Sequence, residues 1–501
     1  MMNYKILIIA ACFILSAGSG CQKKRELPDV DPVPIPRYTK DNTMRSEVLG
    51  LSINYSIYLP ESYKTDKDKR YPVVYMLHGL GDDNNSWNGN YLHANNKIDT
   101  WTSQGLGEMI YVFPQGYSSY YCNRYDGTFS YMDMFANEFV PFIDNTYRTI
   151  PDKQHRAVTG YSMGGFGAIA LAEKHPELFI ACAPLSMSVR TDWQYKEESQ
   201  NGWNNQWGKI FGGYGEGGDA RITEYYKQHC PLYYFNAENK AALSTVNWYL
   251  ICGDNEENLL YANDELHCVL RDNGYKHEYR VVDGGHSSSV WMPALNEVLP
   301  MFDYYMNGGN LWSPEVQTEM EIVGAETETD GAFLSSAYKE NSTGTLVFFV
   351  HDGLPEDYLH ELMHTAQSSS SSAAYAFLPC NVANKSLRVW MAEWESKYPG
   401  QKKYVLGIES AAAEALALPS ETFSCSYYLN PVAGNDFNVA NGQKIYFAGT
   451  DLDANYRDMD RLYVACKQNG ASFEYRIVRG SSSHLYNLVK SLESIKSYIS
   501  Y

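Results

Sequence analysis

A candidate nucleophile, Ser162, lies in the sequence Gly160-Tyr161-Ser162-Met163-Gly164. The pattern Gly-x-Ser-x-Gly is typical of a nucleophile elbow, a sharp turn between a strand and a helix that exposes a serine hydroxyl at the edge of a sheet. The glycines are needed because a side chain at either position would clash with the neighbouring strand and helix. A serine hydroxyl is a weak nucleophile at neutral pH, so a base and an acid are required elsewhere in the chain.

His286 is the candidate base. It lies in a glycine-containing loop, Asp283-Gly284-Gly285-His286, after the last predicted strand of the first half of the chain. The order Ser, then Asp or Glu, then His is typical of such sites. His267 and His277 are rivals, but they fall in a predicted helix and at a strand start, where we expect solvated or structural roles.

The acid is expected in the loop after the predicted strand at 246–252, where Asp254, Glu256 and Glu257 all occur. Its role would be to fix the imidazole tautomer and to stabilise the imidazolium. An ungapped comparison with the second half of the chain places Asp453 opposite Glu257. That comparison favours Glu257, followed by Asp254 and then Glu256, and leaves all three open.

Two backbone amides could stabilise negative charge that develops on a substrate oxygen. One belongs to Met163, directly after the serine. The other lies in the turn His78-Gly79-Leu80-Gly81 and is expected at Leu80.

Short apolar runs alternate with helical patterns through the first half of the chain. Strands are predicted at 55–59, 71–77, 109–113, 157–159, 179–184, 246–252 and 278–282, and helices at 163–174 and 260–273. Such alternation predicts the α/β class, with a mostly parallel sheet covered by helices on both faces. Residues 189–242 interrupt it, and we expect this insertion to shape a substrate cleft in which Trp203 and Trp207 contact the ligand.

The second half of the chain repeats the landmarks of the first, in the same order. The repeated stretches are 346–352 after 73–79, 404–411 after the elbow, and 473–478 after 277–282. We therefore predict two copies of one fold, at 38–307 and, in a shorter form, at 313–501. Glu409 stands at the serine position of the second copy, and Ser482 stands opposite His286, with His484 nearby. Because the nucleophile is replaced, this copy is interpreted as degenerate, and Ser410, one residue from the elbow tip, is not expected to substitute.

A zinc-protease motif, His-Glu-x-x-His, also occurs, at His360-Glu361-Leu362-Met363-His364. No third ligand follows at a suitable spacing, and Leu359, Leu362, Met363 and Ala366 form the apolar stripe of a packed helix. We expect the polar residues of the motif on a solvated face. No metal site and no cofactor are predicted.

Charge and the amino terminus limit the partners and the compartment. The net charge of −19 over 501 residues argues against nucleic-acid binding. Lys5, the apolar run at 6–17 and Cys21 resemble a bacterial lipoprotein leader, with 1–21 as signal and lipidated cysteine and a proline-rich tether at 22–37. The expectation is an exported lipoprotein of the cell envelope, held to the membrane through Cys21. Among the ten cysteines, Cys182 and Cys252 lie in apolar runs and are expected to be buried.

Taken together, these motifs resemble the esterase D-like branch of the α/β-hydrolases, which includes feruloyl and acetyl xylan esterases of carbohydrate esterase family 1. The likeness covers about 38–305 and rests on Leu77-His78-Gly79-Leu80-Gly81 with Trp87, Tyr147-Arg148-Thr149, the elbow, and Gly284-Gly285-His286 with Trp291. It implies Ser162 as nucleophile and His286 as base. The acid loop departs from the family pattern, because it looks one residue longer and carries Glu at the aligned place.

The resemblance implies a serine esterase that removes feruloyl or acetyl groups from plant polysaccharide such as xylan, with Trp87 and Trp291 at the substrate. The alternatives are a siderophore esterase and a non-catalytic surface glycan-binding protein.

Overall fold

The computed structural model describes residues 37–89, 92–256 and 258–313, and in the second half 328–329, 332–334, 345–369, 373–380, 386–397, 403–416, 418, 425–432 and 437–494. The predicted leader, Cys21, most of the tether and Glu257 lie outside these residues.

Eight strands form the first half of one sheet. They are β1 (Tyr38–Arg45), β2 (Ser52–Tyr58), β3 (Val73–Leu77), β4 (Ile110–Pro114), β5 (Arg156–Tyr161), β6 (Ala181–Leu185), β7 (Asn247–Gly253) and β8 (His277–Val282). The main helices between them are α1 (Ala94–Ser103), α2 (Tyr131–Met134), α3 (Val140–Thr146), α4 (Met163–Lys174), α5 (Asp192–Glu197), α6 (Gln200–Asn205), α7 (Trp207–Phe211), α8 (Glu224–His229), α9 (Pro231–Tyr234), α10 (Lys240–Leu243), α11 (Asn258–Asp272) and α12 (Ser288–Asn307).

Eight further strands belong to the second half. They are β9 (Glu328–Thr329), β10 (Ala332–Leu334), β11 (Leu346–His351), β12 (Ala374–Pro379), β13 (Lys403–Ile408), β14 (Cys425–Leu429), β15 (Lys444–Thr450) and β16 (Ser472–Val478). The helices are α13 (Glu356–Ser369), α14 (Leu387–Lys397), α15 (Ala411–Leu416), α16 (Tyr456–Asn469) and α17 (His484–Glu493).

The strand order shows the repeat directly. The sheet runs β1-β2-β4-β3-β5-β6-β7-β8-β16-β15-β14-β13-β11-β12-β10-β9, so each half has the same order when it is counted inward from its own outer edge. Strands β3 to β8 are parallel, and so are β11 to β16. The prediction of a mostly parallel α/β sheet is confirmed.

Helices cover both faces of the sheet, as its apolar strands require. On one face, residues of α4, α11, α15 and α16 belong to one buried apolar cluster that continues across both halves. On the opposite face, α1 and α12 pack on the first half, and α13 and α17 pack on the second. Because one core runs through both halves, residues 37–501 form one compact unit.

The seam between the halves is the antiparallel pair β8–β16. Val281 lies opposite Ile477, and these residues are equivalent in the repeat. Paired equivalent residues place a pseudo-two-fold axis at the seam, as in an isologous dimer interface. The domain boundary predicted near 307–313 stays a prediction, since the sheet itself continues from one half into the other.

Residues 189–242 form a run of short helices between β6 and β7, as expected for an insertion. The seven cysteines whose side chains are described are free thiols, and Cys182 and Cys252 are buried as predicted. No helix among the described residues is long and apolar enough to cross a membrane.

An engineered disulfide tests the seam. Opposite residues of an antiparallel pair have Cα atoms about 4.5–5.5 Å apart, within disulfide reach, so a Val281→Cys/Ile477→Cys variant should form a cross-link under oxidising conditions. A Val281→Cys/Ala448→Cys control places the second thiol on β15, about 10 Å from β8, and should not cross-link. Mass spectrometry of non-reduced digests reads out both variants. A cross-link in neither variant would contradict the seam.

Candidate active site

Ser162 occupies the turn between β5 and α4 with a left-handed backbone, at φ 58° and ψ −119°. This conformation is costly for a residue with a side chain, and it persists because neighbouring strands hold it. The Ser162 amide donates to the Leu185 carbonyl at 2.9 Å, and the Ser188 amide donates to the Ser162 carbonyl at 3.1 Å. The elbow predicted from the sequence is therefore present.

Glycines allow the close approach that this turn needs. A Cβ on Gly164 would lie 2.3 Å from the Leu77 carbonyl oxygen of β3, and one on Gly160 would lie 2.4 Å from the Gly164 carbonyl oxygen. Both contacts are with backbone, which cannot move aside. The strand β3 therefore ends directly against the start of α4.

A hydrogen-bonded chain links a serine, a histidine and a glutamate. The Ser162 Oγ lies 2.8 Å from His286 Nε2, and His286 Nδ1 lies 2.8 Å from Glu256 Oε2. The Glu256 side chain is fully buried, whereas that of His286 is 36% exposed. In the arrangement that satisfies both bonds, the serine hydroxyl donates to Nε2 and the Nδ1 hydrogen points to the carboxylate.

Apart from His286, Glu256 is held by groups at the ends of two strands, β6 and β7. Its Oε1 accepts from the Gly253 amide at 2.7 Å and from the Ser186 hydroxyl at 2.5 Å. The Ser186 oxygen in turn accepts from the Trp291 indole at 2.8 Å. The hydrogen bonds to Oε1 fix the orientation of the carboxylate and leave Oε2 to accept from His286.

The carboxylate hydrogen-bonded to the histidine is thus that of Glu256, which the sequence comparison ranked last. Asp254, named as an alternative, is wrong in that role, because its carboxylate contacts the Gly284 amide at 3.0 Å and Arg476 at 2.8 Å. Glu257, the favoured candidate, lies outside the described residues. Asp254 is itself buried.

The two predicted oxyanion amides lie at the start of α4 and in the turn after β3. Met163 begins α4, whose first-turn amides have no partner within the helix. Leu80 lies in the turn after β3 and is half exposed. Strand β3 pairs with β5, and the last pair of this register is Leu77 opposite Gly160. The assignment of Leu80 and Met163 as oxyanion donors stays a prediction.

His78 is buried behind that turn. Its Nε2 accepts from the Gly116 amide at 2.8 Å, and its Nδ1 lies 2.8 Å from the Gly79 carbonyl oxygen. Burial lowers the pKa of His78. Because Nε2 accepts a hydrogen bond, the ring hydrogen on Nδ1 is the one that points to the Gly79 carbonyl. His78 therefore supports the turn that carries Leu80.

Four tryptophans were expected to contact substrate, and all of them are buried. Since none presents an exposed ring to a ligand, that expectation is wrong. The four are Trp87, Trp203, Trp207 and Trp291. Trp291 stacks on Tyr161 with centroids 4.5 Å apart, and Trp87 packs edge-on against the same ring at 4.9 Å. Trp203 and Trp207 pack inside the insertion around Tyr195. Their apolar area is used for packing beneath the elbow and within the insertion.

The first helix of the insertion, α5, contacts the start of α11. The Gln194 amide donates to the Asn258 carbonyl at 2.8 Å, at the start of α11 and close to the acid loop. Trp193, on the same helix, is half exposed. A role of the insertion in shaping the cleft stays a prediction.

The second half keeps the turn but not the nucleophile. Glu409 has φ 52°, like Ser162, and its Oε1 lies 3.2 Å from His484 Nε2. Ser410 donates to Asp352 at 3.3 Å and does not occupy the elbow tip. The position expected for Glu409 is confirmed, and a carboxyl group in contact with an imidazole stands where the other half has serine and histidine.

The two histidines considered as rival bases pair with each other. His267 is fully buried and His277 partly buried, and the two are hydrogen-bonded to each other at 2.7 Å, so of the two roles expected for them the structural one is right. In the zinc-protease motif, the apolar stripe of α13 is buried as predicted, but Glu361 is buried too. The expectation of a solvated face is wrong for Glu361, which lies beside the stripe in line with the buried Thr365.

The arrangement of Ser162, His286 and Glu256 can perform acyl transfer. A base lies within proton-transfer distance of a strained, accessible hydroxyl, and a buried carboxylate orients that base. The predicted oxyanion amides, of Met163 and Leu80, would bind the negative charge of a tetrahedral intermediate.

Comparison with known proteins identifies relatives of the first half. The profile of a family described as "Putative esterase" matches residues 46–302. Esterase Rv1288 of Mycobacterium tuberculosis is 27% identical over 154 residues, 30% of this chain and 32% of the relative. An endo-1,4-beta-xylanase/feruloyl esterase of Xylanibacter ruminicola is 31% identical over 146 residues, 27% of this chain and 20% of the relative. The chain thus spans about a third or less of the length of these curated relatives.

Among solved structures, a ferulic acid esterase is 30% identical, with a TM-score of 0.46, over 54% of this chain and 98% of the other. The second half of the chain lies outside the family match.

Close packing at the elbow gives a stability prediction. Gly164→Ala should lower the melting temperature by roughly 2–10 °C, because the added methyl meets the Leu77 carbonyl. Gly217→Ala is the control, since the nearest atom to its added Cβ is 4.0 Å away. Thermal unfolding of both variants tests this, and an equal loss in both would contradict the described packing.

Proposed function

The chain belongs to the esterase family whose profile matches residues 46–302, and from this premise we propose that it is a serine esterase acting on acyl esters of plant polysaccharide. The observation that carries the proposal is the chain Ser162–His286–Glu256, with both hydrogen bonds at 2.8 Å. The feruloyl esterase activity named for one relative supports a feruloyl substrate. Acetyl esters are the second substrate of the same class.

The geometry gives each residue a role. His286 Nε2 takes the proton of Ser162 as Oγ attacks the ester carbonyl, and Glu256 stabilises the imidazolium that forms. The amides of Met163 and Leu80 receive the negative charge of the tetrahedral intermediate. The intermediate collapses to an acyl-serine as His286 protonates the leaving sugar alkoxide, and water, activated by the same histidine, then releases the acid.

The cellular address is part of the proposal. The apolar run at 6–17 followed by Cys21 supports export and lipidation. An exported, membrane-anchored esterase would meet polysaccharide at the cell envelope. Radiolabelled palmitate incorporation in cells, compared with a Cys21→Ala variant, tests the anchor separately from the activity.

Two assays test the activity. A fluorophosphonate probe should label the wild type at Ser162, and Ser162→Ala should abolish labelling and lower kcat on methyl ferulate by at least about 10⁴-fold. Ser410→Ala, next to the second elbow, should label like the wild type. An unlabelled wild type would overturn the proposal.

Ferulate release from arabinoxylan, acetate release from acetylated xylan and siderophore cleavage then rank the substrates, and activity on neither plant ester would overturn the substrate class.

The acid assignment has its own test. Glu256→Gln should lower kcat by about 10²–10⁴-fold with little change in KM, because the amide cannot stabilise the imidazolium. Glu257→Gln is the matched control on the adjacent residue and should stay within about two-fold of the wild type. The opposite pattern would show that Glu257 serves as the acid.

A further inference from the structure

Two arginine–aspartate bridges cross the seam between the halves, in positions related by the pseudo-two-fold axis. Arg476 Nη1 of the second half lies 2.8 Å from Asp254 Oδ2 of the first, and Arg280 Nη1 of the first lies 2.9 Å from Asp451 Oδ2 of the second. All four residues are buried. Because the bridges are related by the pseudo-two-fold axis, each half supplies one arginine and one aspartate.

Asp254 connects both loops of the site. It lies two residues before Glu256 in the chain, and its Oδ1 accepts from the amide of Gly284, two residues before His286, at 3.0 Å. The same loops are also joined through backbone, since the Asn255 amide donates to the Gly284 carbonyl at 3.0 Å. One carboxylate of the first half therefore fixes the loop of the acid against the loop of the base, and a cation of the second half holds that carboxylate.

Arg476 is the cation of an otherwise acidic group. Asp254, Asp283 and Glu474 are the one cluster of metal-ligand type among the described residues, and the Arg476 guanidinium contacts all three, at 2.8, 3.3 and 2.7 Å. Burial raises the pKa of Asp254 to about 6, and Arg476 opposes that rise. Without Arg476, the Asp254 carboxyl would have to take a proton or move toward water, and the loops it holds would move with it.

We propose that Arg476 is a positioning residue for the active site: through Asp254 it keeps Glu256 and His286 in register with Ser162. The degenerate half would then have a task in the reaction although it holds no nucleophilic serine at its elbow. This inference rests on the proposed function of the Ser162 site.

The symmetry-related bridge, between Arg280 and Asp451, supplies a matched control. Asp451 accepts from the Gly480 amide at 2.8 Å, as Asp254 does from Gly284, but the elbow on that side carries Glu409. Arg280→Met therefore removes an equivalent buried cation from the same seam, one that contacts Glu278, Glu297 and Asp451 and not the carboxylate of Asp254. Any loss of activity that comes from a weakened seam alone should appear equally in Arg280→Met and Arg476→Met.

Turnover of methyl ferulate is the first measurement. Arg476→Met should lower kcat about 10–100-fold with KM within about three-fold, because the loss is one of alignment in the catalytic chain. Arg280→Met should keep both parameters within about three-fold of the wild type. Asp254→Asn combined with Arg476→Met should be no slower than Arg476→Met alone, since both changes break one bridge. Arg476→Lys, which keeps the charge, should recover part of kcat and serves if the methionine variant does not fold.

Hydrogen–deuterium exchange is a second measurement that does not need turnover. Peptides covering 253–257 and 283–287 should exchange faster in Arg476→Met than in the wild type and should be unchanged in Arg280→Met. Equal losses of kcat in the two arginine variants, or unchanged exchange in Arg476→Met, would overturn the inference. If the wild type neither binds the fluorophosphonate probe nor turns over ester but the exchange pattern holds, the proposed function fails while loop positioning by Arg476 stands.

Discussion

The backbone at the strand-to-helix turn is the constraint on which the site depends. Ser162 must adopt a left-handed conformation, and this is possible only because Gly160 and Gly164 let β3, β5 and α4 approach within backbone contact. The strain is balanced by the core around the turn, in which Tyr161 lies between Trp87 and Trp291. Residues with large aromatic side chains are thereby used to support the hydroxyl from below.

The same constraint survives in the second half, although the chemistry has changed. Glu409 adopts the same left-handed backbone, which shows that the turn belongs to the fold and not to the nucleophile. Burial raises the pKa of Glu409, and the adjacent His484 opposes that rise. A carboxylate paired with imidazole thus replaces the hydroxyl paired with imidazole, and the half keeps its shape without the reactive group.

Local patterns in the sequence were enough for the elbow, for His286 and for the parallel sheet, because each depends on short-range periodicity or on a motif with fixed geometry. Glu256 was ranked last among the three candidate acids for a definable reason. The offset between the halves is 196 residues at Val281 and Ile477, but Asp254 corresponds to Asp451, at an offset of 197. An ungapped comparison therefore shifts the acid loop by one residue and exchanges Glu256 for Glu257. The tryptophans were misplaced because burial depends on distant segments that no local pattern reveals.

Joining the halves through β8 and β16 in one chain also changes how the protein responds to dilution. Each of these strands would be an exposed edge in an isolated half, with unpaired amides and carbonyls that invite association with other chains. Covalent linkage makes their pairing intramolecular, so it does not weaken as the protein becomes scarce. In a two-chain enzyme that relied on the same contact, the chains would dissociate at low concentration. In this molecule the two halves remain linked at any concentration.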